Sequence, residues 1–312
     1  ALSSAASDVY KRQLRNKCLV LKEGFYMIVG QIKQGNLGNK LALSCVERQL
    51  LYILEANQVN SNILFVESYS SVETILDYFM NEDMKYVEFN IFNRLQHIAS
   101  EKGIIDIEYV EVRDEDFINK YEYILLGADI EFLKKTYGSS VWSDEHYVLI
   151  TQKDADTYYY LNDSPYDERI ISKEEMHELS TSSAIGITLK RELIDEKDVL
   201  RQFCDKLNSD DSARRYQLKS VNENSLLQLR DALGIIRVMR RRNYYFISEY
   251  VDAGFMNEYL KGLDSKYIKL EYRRLRKTAI DMDFLNEFTS ELIKDDIDIT
   301  NKIKEKIGER IC

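Results

Sequence analysis

The chain has 312 residues, 43 Lys and Arg against 53 Asp and Glu, and a formal net charge of -10. That length suits one large domain or two ordinary ones with a substantial core; basic residues mixed with acidic ones through most of the chain argue against a nucleic-acid surface. No apolar run approaches membrane-spanning length. Cys18, Cys45, Cys204 and Cys312 are widely spaced, with no CxxC pair and no Cys/His cluster, so the expectation is reduced thiols, no metal, no cofactor and a cytoplasmic protein.

Residues 1–13 lack a starting Met and read as a translated adaptor tail foreign to the fold, so the native start is open. A strand-like run spans 19–32, followed by a polar, glycine-containing stretch over 34–40. Val46, Leu50, Ile53 and Leu54 then recur at helical spacing, which puts Cys45 in the first turn or two of a mostly buried helix. A thiol near a helix N-terminus is placed for a lowered pKa, so Cys45 is a nucleophile candidate. On position alone, a small buried hydrophobe is the commoner role.

Further on, strands and helices alternate. Residues 63–66 and 86–89 read as short strands, 71–80 as a helix capped by Ser70 or Ser71, and 91–102 as a helix ended by Gly103. Strands are expected over 104–112 and 123–128, a helical turn over 114–120, and a helix over 129–137 ending at Gly138. The runs 144–151 and 158–165 flank the turn-like Lys153-Asp154-Ala155-Asp156 and predict an antiparallel hairpin. With its axis between Asp154 and Ala155, His146 faces Asp163 across the strands, the carboxylate orienting the imidazole. A one-residue slip would separate them. Trp142, four residues before His146, either lines a substrate cleft or anchors packing. His97 and His177 read as surface or structural.

After Pro165, Ser172 and Glu175 predict a capped short helix, and 184–189 a closing strand. From about 190 the chain turns charge-dense and helical, with spans near 195–207, 224–241, 243–262, 264–280, 282–295 and 298–310. Arg237, Arg240, Arg241 and Arg242 fall at the end of one of these and read as a solvated helix end. The expected division is a tail over 1–13, an α+β domain over 14–190 and an all-α domain over 191–312.

Cys on a leading helix, His on a strand, and Asp or Asn on the next strand is the chain order of papain-like enzymes. The stretch Tyr123-Ile124-Leu125-Leu126-Gly127-Ala128-Asp129, the following Tyr137, His146-Tyr147-Val148-Leu149-Ile150 and Asn162-Asp163-Ser164-Pro165 resemble the butirosin biosynthesis protein H N-terminal domain family, over about residues 35–190. The resemblance implies a papain-like cysteine-peptidase fold, a helix packed on an antiparallel sheet, related to peptidases that trim double-glycine leaders and to transglutaminase-like enzymes. It further implies acyl transfer from an acyl carrier protein thioester to a small-molecule amine, with Cys45 as nucleophile, His146 as general base and acid, and Asp163 as orienting group. Asn39 would take the place of an oxyanion-stabilising Gln. Ser44 stands where members carry His, and Gln152 and Lys153 replace glycine or aromatic positions. Thioester hydrolysis, leader peptide cleavage and a non-catalytic binding role are the alternatives.

Overall fold

The computed structural model describes residues 41–89, 94–112, 117–138, 146–190, 195–210, 216–278 and 281–311. The expected tail and first strand, Asn39 and Trp142 lie outside the described residues. The chain divides into two units, one containing 43–61 and 93–192, the other 40–42, 62–92 and 193–312.

The first unit is mixed helix and antiparallel sheet. Its strands β1 (Ile105–Glu111), β2 (Tyr123–Ala128), β3 (His146–Gln152), β4 (Thr157–Asp163), β5 (Tyr166–Ser172) and β6 (Ser180–Leu189) form one sheet in the order β1-β6-β2-β3-β4-β5. Its helices are α1 (Cys45–Ala56), α3 (Leu95–Glu101), α4 (Phe117–Lys120), α5 (Ile130–Tyr137) and α6 (Lys173–Leu179). Strand side chains alternate between faces. The even-numbered set Ile124, Leu126, Val148, Ile150, Tyr158 and Tyr160 forms a core with Leu133 of α5 and Met176 and Leu179 of α6. The odd-numbered set, including the buried Leu125, Leu149 and Leu161, turns to the other face, where α1 packs on β2, β3 and β4.

Local chemistry accounts for the helix ends. Asp129 caps α5 by accepting from Phe132 N, and Gly138 closes it in the left-handed region that favours glycine. The Ser172 hydroxyl likewise accepts from Glu175 N at the start of α6. β5 was not expected, since Tyr166–Ser172 has no clear alternation: at this sheet edge only Ile171 is buried.

The hairpin register differs from expectation by one residue. Ile150 pairs with Tyr160 and Thr151 with Tyr159, so the axis lies on Ala155. The Asp154 side chain accepts from Asp156 N at 3.1 Å, while Lys153 N and Asp154 N both donate to the Thr157 carbonyl. That side-chain-supported turn takes in 153–157, an odd loop that shifts the pairing.

The second unit is helical: α2 (Val72–Asn81), α7 (Glu196–Asp210), α8 (Ser225–Ile247), α9 (Asn257–Leu275) and α10 (Met282–Ile311). Residues 62–92 were expected in the first domain. They belong here because the apolar face of α2, with Ile75, Leu76 and Phe79, is buried in one cluster with Leu229, Leu233 and Ile236 of α8. The expected strands at 63–66 and 86–89 are instead 3-10 turns, Ser61–Phe65 and Tyr86–Glu88. Short apolar runs carry no periodicity with which to tell the two apart. Fewer, longer helices replace the expected series, since α8 and α10 run without the interruptions anticipated near 242 and 296.

The arginine cluster is therefore inside a helix rather than at a solvated end. Arg240 is fully buried and donates to both Asp296 oxygens at 2.6 and 2.7 Å, with Tyr259 OH donating to the same carboxylate. Arg242 donates to the carbonyls of Leu41 and Ala42. Arg237 and Arg241 share Asp264. No described helix is long and apolar enough to cross a membrane.

Candidate active site

Cys45 is the first residue of α1, and the residues around it explain why the helix begins there. The Ser44 hydroxyl accepts from Glu47 N at 3.2 Å, and Glu47 Oε2 accepts from Ser44 N at 3.0 Å, a reciprocal capping box. Ser44, the departure from the resembled family, is thus the cap. Glu47 is fully buried, and its Oε1 accepts from Arg94 N at 3.0 Å and Leu95 N at 3.3 Å at the start of α3. One carboxylate closes the N-terminal turns of two helices.

The sulfur of Cys45 lies against β3. Burial raises its thiol above the ordinary value; the Tyr147 backbone N–H opposes this, the Asp163 carboxylate adds to the rise, and the N–H groups of Val46 and Cys45 oppose it. These amides face a position where negative charge would develop, the helix N-terminus adding its dipole. Tyr147 is the residue after His146. Across the ladder from Tyr147 stands Gly127, where a Cβ would come 2.5 Å from Ser183 Oγ and 2.9 Å from the Ser183 carbonyl oxygen. A side chain at position 127 would collide with Ser183, so glycine is required there.

His146 and Asn162 are joined directly. Their side chains meet at 2.7 Å, His146 Nε2 to Asn162 Oδ1, with both residues buried. Asn162 Nδ2 donates to the Pro165 carbonyl at 2.9 Å, so its oxygen is the end turned to the imidazole. An amide oxygen only accepts. His146 Nε2 therefore carries the proton it donates, so that in the neutral ring the lone pair would be on Nδ1.

This corrects the expected pairing with Asp163. With the axis on Ala155, Asn162 has the parity of His146 and takes its ring nitrogen, while the Asp163 carboxylate is drawn to Arg48 on α1. There Arg48 Nη1 donates to Asp163 Oδ2 at 3.1 Å and Arg48 Nε donates to the Leu43 carbonyl. Asp163 Oδ1 stays 3.7 Å from His146 Nε2, beyond hydrogen-bond length, and has no hydrogen-bond donor. Burial raises the Asp163 carboxyl above its ordinary range, with His146 and Arg48 pulling the other way.

Of the residues expected at the site, the structure brings Cys45, His146 and Asp163 to one region where α1 meets the starts of β3 and the end of β4. Asn162, Arg48 and Glu47 were not singled out. Two of them left a signal: Ser44 and Glu47 have capping-box spacing, and Asn162 adjoins the chosen carboxylate. Among the described residues no group of three or more His, Cys, Asp or Glu is placed to hold a metal ion. His97 stacks on Tyr109, and Cys204 is a half-buried thiol on α7. Compared with models of known families and with curated proteins, the chain matches none.

Proposed function

We propose that the first unit is a papain-like catalytic domain that transfers an acyl group through an acyl-Cys45 intermediate, from a carrier-bound thioester to an amine. The observation that carries this reading is the His146–Asn162 hydrogen bond, which in a neutral ring leaves the lone pair on Nδ1, with Cys45 at a helix N-terminus against the backbone N–H of Tyr147, the residue after His146. The resemblance to the butirosin biosynthesis protein H N-terminal domain family supplies the substrate class.

The imidazole takes the Cys45 proton as sulfur attacks the thioester carbonyl. The oxyanion is held by N–H groups at the start of α1. Collapse expels the donor thiolate, which takes the proton from the imidazolium and leaves acyl-Cys45. An amine then attacks, the imidazole accepts its proton, and collapse to the amide returns the Cys45 thiol. With water in place of the amine, the same steps give hydrolysis.

The test is intact mass after incubation with a panel of acyl-carrier-protein thioesters. An acyl adduct present in the native chain and lost in Cys45→Ala supports the reading. Absence of any adduct across the panel counts against it and favours a non-catalytic protein of the same fold. The raised thiol of Cys45 and the carboxylate of Asp163 beside it are the observations that support this second reading.

A further inference from the structure

In the helical unit, the C-terminal half of α9 and the N-terminal half of α10 enclose a groove of about 810 Å³, lined by Lys266, Tyr272, Arg273, Arg276, Phe284 and Glu291 among others. Along α9, Ile268, Tyr272 and Leu275 are 66, 52 and 71% exposed. Their spacing of four and three places them on one helix face. Three large apolar side chains in a row, open to water, form an apolar stripe that has no cover among the described residues.

The stripe is bordered by cations. Lys269, Arg273 and Arg276 each follow one of its residues, and among the described residues none of the three makes an ion pair with a carboxylate. Instead Arg273 stacks on Phe284 at 4.1 Å and Arg276 on Tyr272 at 4.3 Å. Stacking on a ring face holds the planar guanidinium while its edge N–H groups stay able to donate. Of the nearby carboxylates, Asp264 is held by Arg237 and Arg241, Glu271 by Arg230 and Arg274, and Glu291 of α10 by Lys266 with Lys269 adding to its pull, while Glu287 of α10 also lines the groove. Lys266, Lys269, Arg273 and Arg276 against Glu287 and Glu291 leave the groove with a positive excess around the apolar Ile268, Tyr272, Phe284 and Phe288, on a chain of net charge -10.

We infer that this groove docks an acidic amphipathic helix of a partner protein. Apolar residues at helical spacing on the partner would cover Ile268, Tyr272 and Leu275, and carboxylates along its flanks would reach Lys269, Arg273 and Arg276. Charge complementarity decides the occupant. A nucleic acid would leave the aliphatic side chains of Ile268 and Leu275 unused. An anionic membrane does not fill a concave groove. The inference rests on residues of the helical unit and does not depend on the chemistry of Cys45.

The test uses the full chain and a fluorescein-labelled peptide of about 18 residues, helical, with Leu at i, i+4 and i+7 and Glu on both flanks. A peptide of the same composition in scrambled order is the control. The native chain binds the amphipathic peptide at least about tenfold more tightly than the scrambled one, and added salt weakens binding. Lys269→Glu with Arg276→Glu weakens binding at least about tenfold, and so does Leu275→Ser, whose exposed site leaves the helix intact by circular dichroism. Equal binding of the scrambled peptide, unchanged binding by the variants, or no binding at about millimolar peptide overturns the inference. Preferential binding to phosphatidylglycerol vesicles, or self-association of the native chain abolished by the same variants, overturns it as well.

Discussion

His146 Nε2 donates to the side-chain oxygen of Asn162 at 2.7 Å, while the adjacent Asp163 is drawn to Arg48. The orienting group of this imidazole is an amide, so substitutions at the two neighbouring positions separate. Asn162→Ala lowers the rate of Cys45 acylation by a small thioester on the order of 10²-fold, the loss expected when a positioned base is misaligned. Asp163→Asn leaves that rate within about tenfold of native. Single-turnover acylation followed by intact mass measures both, and the reverse order would reinstate Asp163 as the partner.

Burial is the largest influence on the Cys45 thiol and raises its pKa, with the Asp163 carboxylate adding to the rise. Alkylation consumes the thiolate, so the pH–rate profile for iodoacetamide has its midpoint above the roughly 8.5 of a free thiol. Asp163→Asn removes a negative charge that opposes ionisation, and the midpoint moves down. A native midpoint below that of a free thiol would contradict the environment described here.

Glu47 accepts backbone hydrogen bonds at the starts of both α1 and α3. Glu47→Ala leaves those donors unpaired and, at about 0.5–2 kcal/mol for each cap, destabilises the first unit by about 1–4 kcal/mol. Glu47→Gln keeps an acceptor oxygen and loses less. Urea unfolding monitored by circular dichroism gives the difference. Because Cys45 is the residue after the cap, Glu47→Ala also slows its acylation.

The Arg240–Asp296 pair is buried in the helical unit, with side chains 0 and 4% exposed. Asp296→Ala strands the guanidinium and costs about 3–5 kcal/mol of stability. Replacing both, Arg240→Met with Asp296→Leu, recovers much of that loss, because no charge remains buried without its partner. Thermal unfolding of the two variants distinguishes an uncompensated charge from lost packing.

The residues that define the candidate site were nearly all legible as residue types in a plausible chain order. Cys45 at a helix start, His146 on a strand and a polar side chain on the next strand follow from apolar periodicity and from turn residues, which act over a few positions. The capping of α2 by Ser71 and of α5 by Asp129 and Gly138 is equally local. Which side chain holds His146 was not local. It depends on whether the turn is centred beside or on Ala155, and the difference lies in the Asp154 side chain accepting from Asp156 N. Since a one-residue shift exchanges the two faces of a strand, that contact selects Asn162 over Asp163.

The arginines of α8 show the same limit. Their sequence is that of a charged helix end, and only the packing of α10, which brings Asp296 to Arg240, makes the cluster a buried network. The edge strand β5 and the assignment of 62–92 to the helical unit likewise depend on partners far away in the chain. Periodicity and capping reside in the sequence because they arise between residues three or four positions apart. Register, burial of charge and unit membership arise between residues brought together by folding, and for this chain they decided which atoms face the imidazole of His146.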